Sequence, residues 1–162
     1  MSLKLDAGLP GLEPYARQQH WSAPRPLSPG EWSALFSEYL ADVARMCAEA
    51  GADESRAGRS RAAHVVIGHI KLLALFDEGE YLRVSVVSPR HAATVTGAAP
   101  AGLSEMPITV NVLVYGLPTE RLAALTAAAA AEVAERWGAT VEDVPLPRHH
   151  HHHEGTQHAD QP

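Results

Sequence analysis

Two periods alternate along this chain, and each change of period marks a new element. From Trp32 the apolar residues recur every three or four positions, through Leu35, Phe36, Tyr39, Leu40, Val43, Met46 and Cys47, which is the spacing of one helix face. Ser28-Pro29-Gly30-Glu31 supplies the start: a hydroxyl to cap, a proline for the first helical position, and a glutamate placed to close a capping box. Gly51 is expected to end this helix, and 53–61 reads as a polar loop.

From Ala63 the period becomes two. Val66, Gly68, Ile70, Leu72, Ala74 and Phe76 fall on one side of an extended strand, and Ile67, His69, Lys71 and Leu73 on the other. A helix over 62–76 competes, but Gly68 and the β-branched run Val65-Val66-Ile67 weigh against it. Asp77-Glu78-Gly79-Glu80 is a hairpin connection. The return strand has Leu82, Val84 and Val86 on its apolar side and Tyr81, Arg83, Ser85 and Val87 opposite. A short strand is predicted over 93–96, a loop over 98–102, and a strand over 108–115 with Thr109, Asn111, Leu113 and Tyr115 outward. Pro118 in a first turn, the stripe Leu122, Leu125, Ala129, Val133, Trp137 and a closing Gly138 define a second helix. The segment 140–144 is an edge strand that Pro145 stops.

Two amphipathic helices and strands with one apolar side each predict an α+β fold: a two-layer sandwich, mainly an antiparallel sheet of about four to five strands, with two long helices on one face. The organisation expected is a Pro-rich, poorly ordered N-terminal arm over 1–27, a single α+β domain over 28–145, and a His-rich disordered tail over 146–162.

The formal charge of −6 argues against generic nucleic-acid or anionic-membrane binding. Six cations, Arg56, Arg59, Arg61, Lys71, Arg83 and Arg90, nevertheless cluster mid-chain. The single cysteine, Cys47, excludes an intrachain disulfide and suits a reducing compartment. Its place on the apolar helix face reads as a core thiol. With no leader pattern and no apolar run long enough for a span, the expected location is the cytoplasm.

The most distinctive chemistry lies in the tail, where His149, His150, His151, His152 and His153 are consecutive and His158 follows. Neutral imidazoles ligate borderline transition metals, so nickel, zinc or copper is the cofactor expected there. Such a run can also be a purification tag, although this one lies inside the chain and is followed by Glu154-Gly155-Thr156-Gln157-His158. The second candidate is the outward sheet face with His69, Lys71, Arg83, Ser85 and Asn111 among aliphatics. It reads first as a self-complementary subunit interface and second as a site for a small molecule or anion. Single-stranded nucleic acid would need aromatic residues for stacking; Tyr81 and Tyr115 are the only candidates, at strand ends. His64 and His69, five apart, are poorly spaced to share one metal, and His91 joins them only by folding.

No phosphate loop, nucleophile elbow, zinc-protease helix or paired-cysteine motif is present. The reading is a cytoplasmic accessory protein rather than an enzyme, which handles a transition metal through its tail, forms a homodimer and serves a metalloprotein client. The alternative is a small-molecule or anion-binding subunit using the polar sheet face, as a binder or an enzyme of unrecognised type.

Overall fold

A computed structural model describes residues 14–57 and 64–145. In chain order the elements are β1 (Tyr15–Leu27), α1 (Pro29–Arg56), β2 (Val66–Leu75), a 3-10 turn, β3 (Tyr81–Val86), β4 (Thr94–Gly97), β5 (Leu103–Tyr115), α2 (Thr119–Trp137) and β6 (Thr140–Val144). The strands form one six-stranded sheet in the order β4-β3-β2-β5-β1-β6, antiparallel at every pairing. If β3 and β4 are set aside as an extension beyond β2, the remainder is the split β-α-β arrangement.

The sheet has six strands rather than four to five, and the added one corrects the arm expected over 1–27. The segment Tyr15–Leu27 is a full strand that pairs with β5 on one side and β6 on the other. Its inward positions hold Tyr15, Arg17, Gln19 and Trp21, so no apolar alternation advertises it. Pro24 and Pro26 fall where the register to β5 breaks, between Ser22 and Leu27, a place where missing amide donors cost little. Residues 1–13 and the tail over 146–162 lie outside the described residues.

The capping box of α1 forms as its sequence predicts. Glu31 N–H donates to Ser28 Oγ at 3.2 Å and Ser28 N–H donates to the Glu31 carboxylate at 2.7 Å. Arg25 also donates to that carboxylate, and this bond, with those from Ser28, holds the Glu31 pKa down at about 2. Gly51 does not end the helix, which runs on to Arg56. A side chain at 51 would place its Cβ 2.5 Å from Val65 Cγ2, so the glycine serves a close approach instead. Pro118 stands just before α2, its carbonyl accepting from Arg121 and Leu122 at 2.9 and 3.0 Å, and Gly138 closes that helix at φ 62°.

Burial follows the two-residue alternation. Ile70, Leu72 and Ala74 on β2, Leu82, Val84 and Val86 on β3, five side chains from Met106 to Val114 on β5, and Trp21 on β1 are buried. They form one cluster with Trp32, Phe36, Tyr39, Val43 and Cys47 of α1 and Leu122, Ala129 and Val133 of α2. Helix α1 packs against α2, β2 and β3, and α2 against β6 and β1. Inside this core Cys47 is a buried thiol whose pKa burial pushes up to about 11. One strand departs from strict alternation: the β2 register slips at Gly68, so Val66 pairs with Tyr115 and Ile67 with Val114. The slip turns Val66 out of the core, where the simple period had placed it. Gly68 itself lies beneath Tyr115 and Leu113, whose carbons stand 3.1 and 3.2 Å from where its Cβ would be.

Candidate binding face

The side chains that alternate with the core make the other face of the sheet, and strand register fixes their neighbours. One row crosses all six strands: Thr96, Arg83, Leu73, Thr109, Gln18 and Val144. The next row is Thr94, Ser85, Lys71, Asn111 and Ala16, and beyond it His69 pairs with Leu113. Directly paired side chains on one face start about 5 Å apart at Cβ. All five residues singled out on the sheet, His69, Lys71, Arg83, Ser85 and Asn111, therefore come together on one face.

Lys71 and Arg83 are exposed and have no acidic partner among the described residues; Arg83 Nη2 reaches Thr96 Oγ1 at 3.5 Å. Partial burial, and secondarily the Lys71 charge, lower the pKa of His69, so its imidazole is neutral at neutral pH. Two cations flanked by a hydroxyl and an amide can hold and orient an anion.

The face is also apolar. Leu75 is 68% exposed, Val66 52%, and Tyr81 and Val144 38% each, and register places all four here. Between its two halves lies a shallow depression of about 250 Å³ lined by Gln18, Leu73, Leu75, Pro107, Thr109 and Val144. A second depression, about 370 Å³, opens at the far end of the sheet between Ala48 of α1 and Val65, Val66, Val87 and Pro89.

Sequence reasoning missed the β1 contribution to this face. His20 pairs in register with Pro107 and Glu142, and its Nε2 lies 3.7 Å from Glu105. The same strand carries a polar group on the buried side. Gln19, 3% exposed, accepts at Oε1 from Tyr39 Oη at 3.0 Å and Trp21 Nε1 at 3.3 Å, and its Nε2 donates to Asp143 at 3.2 Å. Arg17 closes the group, donating to Tyr15 Oη at 2.8 Å, with Asp143 3.8 Å away. Burial pushes the Tyr39 pKa far above its ordinary value, so the hydroxyl remains a fixed donor, and the group ties β1, α1 and β6 together without supplying an acid or base. Between the helices Arg136 donates to Asp42 at 2.7 Å and Trp137 to Glu38 at 3.1 Å, an exposed lattice of modest energetic weight.

The expected metal ligands, His149 to His153 and His158, lie outside the described residues. Among the described residues no three His, Cys, Asp or Glu side chains gather closely enough to hold an ion, and this includes His64, His69 and His91. No described helix is long and apolar enough to cross a membrane. Searches against protein-family models, curated proteins and solved structures match nothing.

Proposed function

We propose that this chain is a small accessory protein that holds a transition metal ion on its C-terminal histidines, for storage or for delivery to a metalloprotein client. The run of five consecutive imidazoles followed by His158 carries the reading. The folded part is then a platform: a two-layer sandwich with both helices on the buried face of the sheet, acting in the cytoplasm as a homodimer. Its last strand, β6, ends at Val144 on the rim of the sheet, and Pro145-Leu146-Pro147-Arg148 separate it from the histidines in the sequence. Neutral imidazole is the ligating form, so affinity falls as pH drops through about 6.5.

Calorimetric titration of Ni²⁺, Zn²⁺ and Cu²⁺ tests this, using the full chain and a variant with 149–153 and His158 all changed to alanine. Saturable binding that disappears in the variant and weakens at pH 5 is expected; equal affinity in both proteins sinks the proposal. A second reading is favoured by the Ser85, Lys71, Asn111 row: the face takes a small anion or nucleotide, with Lys71 and Arg83 as charge partners. Phosphate binding that Lys71→Ala abolishes, with metal binding intact, would select it.

A further inference from the structure

The uncovered sheet face divides its charges between two ends. Lys71 and Arg83 lie toward one end, with Arg90 beyond β3 on the same side. Glu105 and Glu142 lie toward the other, and Asp77, Glu78 and Glu80 form the turn at that end. The depression lined by Leu73, Leu75, Pro107, Thr109 and Val144 sits between the two groups, and Leu75, the most exposed large apolar residue described, stands at its margin. An apolar centre with opposite charges on its two sides is the self-complementary pattern that a two-fold contact requires.

From this arrangement we infer that the face is occupied by a second copy of this chain, with a two-fold axis in the plane of the face across the depression. Each copy sets Leu75 into the depression of the other, and the Lys71–Arg83 group of each meets the Glu105–Glu142 group of its partner. The inference rests on the self-association in the reading above and gives it a definite geometry; the metal on the tail is independent of it. Register makes the charge arrangement specific: Lys71 and Arg83 stand level with Asn111 and Thr109 of β5, whereas Glu142 stands level with Pro107 and Glu105 lies beyond it toward the hairpin end. Burying the exposed apolar side chains drives association, and the charges set orientation and discriminate against other partners. In this dimer Lys71 and Arg83 are engaged by the acids, so the anion reading and the dimer compete for one surface.

Sedimentation equilibrium on the full chain, without metal, provides the test. The wild type is expected to be a concentration-dependent dimer that weakens with salt. Leu75→Asp should raise the dissociation constant by roughly a hundredfold or more, because the partner's depression would have to desolvate a carboxylate. A variant with Lys71→Glu and Arg83→Glu, and another with Glu105→Lys and Glu142→Lys, should each be monomeric alone, yet associate when mixed in equal amounts. Far-ultraviolet circular dichroism confirms that each variant is folded. A wild type that stays monomeric at every concentration overturns the inference. A dimer that all three variants leave unchanged places the contact elsewhere and overturns it too, as does failure of the two reversed variants to associate. None of these results bears on metal titration of the tail, which fails or succeeds by itself.

Discussion

One face of the sheet is almost wholly apolar, whereas the other sets a smaller number of aliphatic residues among charged and polar ones. On the helix side Ile70, Leu72, Val84, Val110 and Val112 are wholly removed from water, and of the two buried polar residues Gln19 has partners at close range. On the other side Leu73, Leu75, Val66 and Val144 alternate with Lys71, Arg83, Glu105 and Glu142, and all remain at least partly accessible. The first pattern dictates a fold because every polar group misplaced there is penalised. The second leaves the monomer nearly indifferent to its composition, so what is written there reflects what the face meets. The aliphatic share separates the two cases, and so does the placing of charges among the aliphatics.

The sharpest way to break this comparison uses neighbouring residues on β1. Trp21 is fully buried, edge-on to Phe36 with ring centroids 5.7 Å apart and 5.3 Å from the Tyr39 ring. Ser22, the next residue, belongs to the other face and pairs with Glu105. Trp21→Ala is expected to cost about 3–5 kcal/mol of stability by urea unfolding, while Ser22→Ala should change it by less than about 0.5 kcal/mol. Similar costs for the two would mean that the faces are not distinct, or that the outer one is covered in solution.

A smaller effect concerns how the buried face accepts a polar residue at all. Gln19→Leu removes the acceptor of two buried donors, Tyr39 Oη and Trp21 Nε1, and should cost about 2–3 kcal/mol, the range for leaving buried donors unsatisfied. Tyr39→Phe in that background should then cost less than in the wild type, since its hydroxyl has already lost its partner. Additive costs in this double-mutant cycle would show that the bond seen at 3.0 Å has no energetic weight.

Legibility followed the same division. The helices, the β2–β3 hairpin and β6 could be read from the chain because their signals are local: a capping box at Ser28, a period of two through Leu72 and Leu82, a proline after Val144. Alternation also grouped His69, Lys71, Arg83, Ser85 and Asn111 on one side, and register confirms that grouping. β1 was illegible because its inward Gln19 is satisfied by residues 20 and 124 positions away, and no local pattern carries such information. With β1 missing, Gln18 and His20 could not be assigned to the outer face, and neither could the way β6 completes it with Glu142 and Val144. The slip at Gly68 likewise depends on the partner strand, and it reverses Val66 against the period in its own sequence.

The smallest expected effect sharpens the comparison from inside the core. Thr126 of α2 is buried, and its Oγ1 has no hydrogen-bond partner among the described residues. If the helix side of the sheet is governed by the exclusion of unpaired polar groups, this hydroxyl is a standing penalty that no contact offsets. Thr126→Val keeps the branched shape and removes only the oxygen, so the protein should gain about 1 kcal/mol, toward the low end of the cost of an unsatisfied buried group. The same exchange at Thr109, half-buried on the outer face, should leave unfolding stability nearly unchanged, because water already serves its hydroxyl. A loss of stability at 126 would mean that the hydroxyl has a partner in solution, and the core would then tolerate polar groups by solvating them rather than by excluding them.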